Sequence, residues 1–289
     1  RQYVNEQLER PPRSVVCYVT PEQELDRVPS GCTHVVYRSL FMDVYTLKLV
    51  DAGLPRKHER TIQSVARLNA PNVRPMVMVT MEPGFLASLP QRAVVNGHAG
   101  RLARNVGRWL LQRGYIGVDL DLWTPSNRDE ANASYYAAIV AAMKRTLDTG
   151  RLLLSTNVYP IPGLMEDMQL AKLRGDVHLM VLNPCVDTSE PCPLTGTQSW
   201  HSALAAFYSA TGNLAHVVMA VQFPSSANWT DAHVSTLAEK ARFVRWAKLR
   251  GVAIKGDWTA NTTAPLFQAL ADYEAPRNDF LDWPAKSTP

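Results

Sequence analysis

Apolar runs rich in valine, isoleucine and tyrosine alternate along the chain with longer segments of helical spacing. Eight of these runs predict β-strands: SVVCYV from Ser14, THVVYRS from Thr33, VRPMVMVT from Val73, YIGVDLDLW from Tyr115, RLLLSTNV from Arg151, DVHLMVL from Asp176, HVVMAVQF from His216 and GVAIKGDW from Gly251. Several runs are apolar on both faces, which is typical of parallel strands that helices cover.

The segments between the runs predict helices. An apolar stripe at i, i+4, i+7 and i+8 starts at Leu102, and Gly114 is placed to end that helix. A second helix is predicted from Ser126, a candidate N-cap, to Gly150. A third, in STLAEKARFVRWAKLRG, is predicted to close at Gly251 after basic residues that suit a helix C-terminus.

Eight strands that alternate with helices in a chain of 289 residues predict an α/β fold, a (β/α)8 TIM barrel formed by a single domain. A doubly wound open sheet is the alternative, but VVCYVTPEQE contains neither a G-x-G-x-x-G nor a P-loop pattern. The domain spans 1–289, with its core at about 14–274. The prolines of APRNDFLDWPAKSTP predict an irregular tail over 275–289.

Composition narrows the possible functions. The chain is 46% hydrophobic and 19% charged, with a formal net charge of +4 and no run of five like charges. Nucleic-acid binding and a polybasic membrane anchor are therefore not predicted. No apolar stretch reaches the roughly 18 to 20 residues that a membrane span needs. The polar start RQYVNEQLERPPRS is unlike a signal peptide, so we expect a processed, mature form.

The four cysteines fall into two close pairs, Cys17 with Cys32 and Cys185 with Cys192. They lack C-x-x-C spacing and nearby histidines, so disulfides are favoured over zinc binding. Disulfides imply an oxidising compartment. The three N-x-[ST] sequons, at Asn132, Asn228 and Asn261, also favour a secreted glycoprotein. The seven histidines are scattered, and we expect neither a metal nor a cofactor.

Acidic residues in the fourth run form the candidate site. Because side chains alternate along a strand, Asp119, Asp121 and Trp123 share one face, and the apolar residues between them share the other. Packing of the apolar face against helices would direct the carboxylates and the indole into the barrel. Active sites of barrels lie at the carboxyl ends of the strands, and two close carboxylates perturb each other's pKa. The alternative is that both carboxylates only satisfy neighbouring polar groups.

GYIGVDLDLWTP resembles the fourth strand of the family 18 glycoside hydrolases, the chitinases and chitinase-like proteins, which carry D-x-x-D-x-D-x-E there. VVCYVT and GCTHVVYRS resemble the family's first two strands with their linking disulfide, here Cys17 to Cys32. The resemblance covers most of the chain in order. It implies a barrel without the small inserted domain of many members, since only PSSANWTDAHVS separates the seventh strand from the last long helix. The motif positions are occupied by Ile116, Asp119, Asp121 and Trp123.

The departures from the family pattern bear on activity. In active members the closing glutamate is the general acid and the substrate's acetamide is the nucleophile. Trp123 has no acidic proton near neutral pH, and loss of a general acid costs roughly 10²- to 10⁴-fold in rate. The family's sixth-strand M-x-Y-D aligns with VLNP, which puts Asn183 at the tyrosine position, and its third-strand S-x-G-G falls at TMEP. Its eighth-strand tryptophan aligns with Lys255, with Trp258 as a possible substitute.

The sequence thus predicts a secreted, catalytically inactive chitinase-like protein that acts by binding. Its partner would be a glycan, as for a lectin, or an extracellular protein, as for an inhibitor or a modulator of immune or growth signalling. Trp123 would either stack on a sugar ring or plug the groove. The alternative function is an active hydrolase of N-acetylglucosamine polymers with a relocated acid, Glu82, which is otherwise a plain loop carboxylate. The candidate ligand-binding residues are Asp119, Asp121, Trp123, Glu82, Asn183, Lys255 and Trp258.

Overall fold

The computed structural model describes residues 14–19, 31–42, 49–51, 74–80, 99–121, 133–173, 177–185, 192–223 and 231–271. The strands in these ranges are β1 (Ser14–Val19), β2 (His34–Met42), β3 (Leu49–Asp51), β4 (Arg74–Thr80), β5 (Gly117–Asp121), β6 (Leu153–Val158), β7 (Leu179–Leu182), β8 (Val217–Phe223) and β9 (Gly251–Gly256). The helices are α1 (Ala99–Arg113), α2 (Ala133–Thr149), α3 (Pro162–Asp167), α4 (Leu170–Leu173), α5 (Trp200–Thr211), α6 (Asp231–Trp246) and α7 (Ala260–Ala271).

Eight of these strands form a closed parallel ring. Each pairs in parallel with the next in the order β1, β2, β4, β5, β6, β7, β8, β9, and β9 pairs with β1. The ring confirms the predicted (β/α)8 TIM barrel and excludes the open sheet. All eight predicted runs form strands of the barrel.

Strand β3 was not predicted from the sequence. It pairs antiparallel with the end of β2, with Leu40 opposite Asp51 and Met42 opposite Leu49. Its three residues are too few to show the alternation from which a strand is predicted. It extends the sheet at β2 without entering the barrel ring.

Strand alternation sorts the buried side chains into two layers. The outer layer lies between the barrel and the helices, where Val118 and Leu120 of β5 pack in one cluster with Leu102 and Val106 of α1. The inner layer fills the barrel. It consists of Val16, Tyr18, Val36, Met76, Leu179, Val181, Val218, Ala220 and Ala253.

Both predicted disulfides are present. Cys17 and Cys32 join β1 to the turn before β2, with their Cα atoms 6.0 Å apart and a sequence separation of 15. Cys185 and Cys192 close a shorter loop after β7, with Cα atoms 5.7 Å apart and a separation of 7. Closing a loop of about 15 residues stabilises a fold by roughly 3 kcal/mol in the chain-entropy model.

The prediction that the last long helix closes at Gly251 was wrong. Helix α6 ends at Trp246, and Lys248 takes a left-handed conformation with φ 54° in the turn that follows. Gly251 instead begins β9, where a Cβ atom would overlap the carbonyl group of Ser14 in β1. This glycine allows two neighbouring strands to approach, and it does not cap a helix. Gly114, by contrast, ends α1 as predicted, with φ 75°.

The connection between β8 and α6 is short. Seven residues, 224–230, separate Phe223 from Asp231. So short a segment cannot form a folded unit, and the barrel therefore lacks the small inserted domain, as expected. The predicted N-cap Ser126, the sequons of Asn132 and Asn228, and the predicted tail over 275–289 lie outside the described residues.

Candidate functional site

Polar side chains meet inside the barrel near the carboxyl ends of its strands. Strands β1, β5, β6 and β9 each contribute from their interior face, and the residue after β7 completes the group. We call this group the barrel-end cluster, and it consists of Tyr18, Asp119, Ser155, Asn157, Asn183 and Lys255.

Asp119 is fully buried at the centre of the cluster, with 0% exposure. Its Oδ2 atom accepts hydrogen bonds from the Tyr18 hydroxyl at 2.8 Å and from Nδ2 of Asn157 at 2.7 Å, and the Ser155 hydroxyl donates to Oδ1. Burial raises the pKa of Asp119, while the hydrogen bond from Ser155 and the positive charge of Lys255 act in the opposite direction. The carboxyl group is thus held by three donors from two other strands.

Lys255 crosses the barrel from β9. Its ammonium group donates to Oδ1 of Asn157 at 2.6 Å and to Oδ1 of Asn183 at 2.7 Å. The same Nζ atom lies 4.6 Å from the centre of the Tyr18 ring, within cation–π range. Nδ2 of Asn183 in turn donates to Asn157 at 3.2 Å. Lys255 of β9 therefore contacts side chains of β1 and β6 and of the residue after β7. It also supplies the positive charge that faces Asp119.

Burial of Tyr18 and its proximity to Asp119 raise the pKa of the phenol well above its ordinary value. Tyr18 consequently keeps its proton at physiological pH and acts as a hydrogen-bond donor to Asp119. Each of the donors described here, from Tyr18, Ser155, Asn157 and Lys255, thus has an acceptor within the cluster.

Asp121 lies two residues further along β5 and is half-buried. Its Oδ1 atom accepts a hydrogen bond from the Tyr159 hydroxyl at 3.1 Å, just beyond the end of β6. Asp121 is therefore closer to the carboxyl end of β5 than Asp119, and among the described residues it accepts fewer hydrogen bonds. This placement leaves it able to accept a hydrogen bond from a ligand.

The structure brings together three of the residues that the sequence singled out, Asp119, Asn183 and Lys255. Ile116 lies at the opposite end of β5, where its carbonyl accepts a bond from Leu153 at 2.8 Å. Trp258 is 2% exposed and packs in the outer layer. Trp123 and Glu82 lie outside the described residues.

The indole of Trp258 has a structural partner. Its Nε1 atom donates to the carbonyl of Tyr18 at 2.7 Å, across the junction of the first and last strands. A buried indole does not present a ring face to solvent. Within the described residues, Trp258 thus braces β1, and Lys255 is the eighth-strand residue that reaches the site.

The sequence-based site lacked four residues, namely Tyr18, Ser155, Asn157 and Tyr159. A signal for two of them exists in RLLLSTNV, because Ser155 and Asn157 fall at alternate positions of a strand otherwise predicted to be buried. Polar side chains at such positions must find partners inside the barrel. That they find Asp119 depends on the pairing of β6 with β5.

A metal site and a membrane-spanning helix each place requirements on the described residues. No group of three His, Cys, Asp or Glu side chains there could hold a metal ion. None of the helices there combines the length and apolar character needed to cross a bilayer.

A closed parallel barrel of eight strands with helices between them defines the chain as a TIM-barrel protein, with a polar cluster near the carboxyl ends of its strands. Its similarity to solved structures is to chitinases and chitinase-like proteins. The Class V chitinase of Nicotiana tobaccum, as a mutant in complex with NAG4, superposes with a TM-score of 0.73 at 13% identity, over 90% of this chain and 99% of that one.

Two further structures extend the comparison. Catalytic domain 2 of the Group II chitinase of Ostrinia furnacalis has a TM-score of 0.72 at 15% identity, over 91% of this chain and 98% of that one. Human YKL-39, described as a pseudo-chitinase with retained chitooligosaccharide binding properties, has a TM-score of 0.69 at 14% identity, over 89% and 98%. No protein-family profile and no curated protein sequence matches the chain. At these identities the similarity establishes a shared fold.

Proposed function

We propose that this chain is a secreted, catalytically inactive chitinase-like protein that binds a glycan of the chitooligosaccharide type at the carboxyl end of its barrel. The observation that carries the proposal is the closed hydrogen bonding of Asp119, whose carboxylate is fully buried and held by Tyr18, Ser155 and Asn157. A general acid must come within about 2.6 to 3.2 Å of the bond it protonates. Asp119 is enclosed by its own neighbours, and this arrangement favours a structural role over that of a general acid.

The last two positions of the fourth-strand motif, Asp121 and Trp123, support the same conclusion. Trp123 occupies the position at which the family resemblance expects the general acid, and an indole has no proton to give near neutral pH. Asp121 is held by Tyr159 at the edge of the site, where a carboxylate can accept hydrogen bonds from sugar hydroxyls. The polar end of the barrel therefore suits recognition better than bond cleavage.

Binding of chitooligosaccharides is supported by two neighbours of known structure. YKL-39 combines the same fold with loss of chitinase function and retained chitooligosaccharide binding. The tobacco chitinase mutant was crystallised with NAG4. In our proposal Trp123 supplies the aromatic surface on which a sugar ring stacks, two residues beyond Asp121.

Secretion is supported by the covalent chemistry of the chain. Cys17–Cys32 and Cys185–Cys192 form disulfides, which are typical of proteins in oxidising compartments. The sequon residue Asn261 lies in the first turn of α7 and is exposed, so a glycan could extend from it without disturbing the core. Both features suit an extracellular glycoprotein.

The proposal is tested by measuring chitotetraose binding calorimetrically beside an assay for sugar release from chitin oligosaccharides. We expect binding without product release. Asp121→Asn and Trp123→Ala should each weaken binding by roughly fivefold or more, because in this proposal each removes a group that contacts the sugar. Asp148→Asn, an exposed change on α2, is the matched control and should leave the affinity unchanged.

Three results would contradict the proposal. Product release that Glu82→Gln abolishes would identify an active hydrolase with a relocated acid. Absence of both binding and release would point to an extracellular protein as the partner. Stronger binding by Trp123→Ala would show that Trp123 plugs the groove and does not stack on the sugar.

A further inference from the structure

Helix α1 carries a row of exposed arginines on its outer face. Arg101, Arg104 and Arg108 are all exposed. Their spacing of i, i+3 and i+7 places them within about 60° of one another around the helix axis. The opposite side of α1 packs against the barrel through Leu102 and Val106. We call Arg101, Arg104 and Arg108 the arginine face of α1.

Within the part of the chain that the structure describes, no acidic group balances the positive charge of this face. The sequence of α1, AGRLARNVGRWLLQR, contains four arginines and no acidic residue, in a chain where 30 basic residues nearly match 26 acidic ones. No residue of the arginine face forms an ion pair with another described residue. The fourth arginine, Arg113, is engaged differently, with its guanidinium 5.1 Å from the centre of the Trp109 ring.

The neighbouring helix α2 adds positive charge. It packs beside α1, since a Cβ atom at Gly107 would lie 3.6 Å from the methyl group of Thr146. Arg145 precedes Thr146 and is exposed. The carboxylate of Asp148 on the same helix is engaged by Lys144 at 3.2 Å. The acidic group of α2 is thus already paired, and Arg145 extends the basic surface.

We propose that the arginine face of α1 binds a sulfated polysaccharide of the glycosaminoglycan type. Arg101 and Arg108 are separated by about 10 Å along the helix, a row that matches a linear polyanion better than a single small anion. Guanidinium groups donate paired hydrogen bonds to the oxygens of an oxyanion, and arginine holds them in a fixed geometry. The site is distinct from the barrel-end cluster, which lies inside the barrel.

The choice of a polysaccharide follows from the chemistry of the face and from the proposed extracellular location, on which this inference rests. The segment from Arg101 to Arg108 contains no aromatic residue. Binding of a single-stranded nucleic acid would need aromatic side chains on which its bases stack. Leu111 is the exposed large apolar residue of α1, at 63%, whereas membrane insertion needs a broad apolar face. Sulfate groups on a linear chain need neither.

The test uses heparin as the probe and the full chain with both disulfides. The triple variant Arg101→Gln/Arg104→Gln/Arg108→Gln is compared with Lys172→Gln/Arg242→Gln/Lys248→Gln, which removes three exposed positive charges from other helices and turns. Surface plasmon resonance is measured between 0.05 and 0.4 M NaCl, a range over which the Debye length falls roughly threefold. It gives both the affinity and its salt dependence. Glutamine keeps helix propensity, so both variants should fold.

We expect the wild-type chain and the control to bind heparin alike, and the arginine-face variant to bind roughly tenfold more weakly at 0.15 M NaCl. The slope of log Kd against log salt should fall by about 2 to 3 for that variant, since about one counterion is released per contact. Equal weakening in both triple variants would overturn the proposal, because the effect would then be that of net charge. Equal binding to desulfated heparin, or displacement by single-stranded DNA at the same concentration, would also overturn it.

Chitotetraose binding separates this inference from the proposed function. The arginine-face variant should bind chitotetraose as the wild type does, because α1 covers the outside of the barrel. Failure of the wild type to bind chitotetraose would contradict the proposed function. The heparin proposal would still be decided by comparing the arginine-face variant with its control.

Discussion

The interior of the barrel has an apolar region and a polar region, which lie two residues apart along the same strands. Val16 and Tyr18 are neighbours on the inner face of β1, and Ala253 and Lys255 occupy the same relation on β9. In each case the earlier residue packs in an apolar layer and the later one carries a polar group of the barrel-end cluster. The same strands thus provide a core that stabilises the fold and, two residues further on, the polar side chains of the barrel-end cluster.

The largest predicted effect is at the centre of the polar region. Asp119→Leu should lower the free energy of unfolding by about 3 to 5 kcal/mol, because it leaves buried donors and the ammonium of Lys255 without the carboxylate they face. Urea unfolding followed by circular dichroism measures the change. Asp119→Asn keeps one acceptor and should cost less. Equal stability of the leucine variant and the wild type would show that the cluster is not closed as described.

The second effect concerns the positive charge of the same region. Lys255→Met should destabilise the fold by about 2 to 3 kcal/mol, since Asn157 and Asn183 lose a charged donor. It should also raise the pKa of Asp119 further, because the positive charge of Lys255 lowers that pKa. Lys172→Met, an exposed change on α4, is the control and should alter stability by less than about 0.5 kcal/mol. An effect no larger than that of the control would contradict the comparison.

The apolar region should behave differently from the polar one. Val218→Ala removes two methyl groups from the inner layer and should cost about 2 kcal/mol, from lost burial and the cavity left behind. Because the apolar side chain of Val218 forms no hydrogen bond with the barrel-end cluster, the affinity for chitotetraose should stay within about twofold of wild type. A marked loss of affinity with intact folding would show that the two regions are not separable.

The smallest effect lies at the amino ends of the strands. Nδ1 of His178, just before β7, accepts a hydrogen bond from the backbone N–H of Leu154 at 3.1 Å. Burial lowers the pKa of His178, and nearby Lys144 lowers it further, while Asp148 acts in the opposite direction and His216 adds to the lowering. Because the folded state resists protonation more than the unfolded one, stability should fall as the pH drops below about 6.5.

His178→Asn tests this pH dependence, because the asparagine oxygen can accept the same hydrogen bond without titrating. Between pH 7.5 and pH 5.5 the variant should lose roughly 1 to 2 °C less in Tm than the wild type, a small difference since the ring is half-buried. Scanning calorimetry at both pH values measures it. Identical acid sensitivity in the two proteins would rule out His178 as a contributor.

The sequence was sufficient to predict the barrel because its signals are local. Apolar runs of the right length, separated by helical spacing, predict eight parallel strands without knowledge of their pairing. The inward orientation of Asp119 follows from the same alternation, since Val118 and Leu120 pack outside the barrel. Close cysteine spacing likewise predicted both disulfides.

The composition of the site could not be predicted in the same way, because its contacts join distant parts of the chain. Tyr18 and Asp119 are 101 positions apart, and Lys255 and Asn157 are 98 apart. Which polar side chains meet depends on strand register and tilt, which periodicity does not contain. Trp258 illustrates the limit, because the family resemblance offers it as a substitute for the tryptophan at the floor of the sugar site, whereas in the fold its indole donates to the backbone of β1.

Closure of the ring between β1 and β9 also has a consequence for biosynthesis. Residues 14–19 emerge from the ribosome long before 251–256, yet they are direct neighbours in the sheet. Lys255 belongs to the last strand of the ring and Trp258 follows that strand, so a nascent chain holds Asp119 without its cation until β9 has been synthesised. Such long-range closure slows folding and leaves the unfinished barrel dependent on chaperones. A chain truncated before residue 258 cannot form the bond from Trp258 to Tyr18, and we expect it to be degraded.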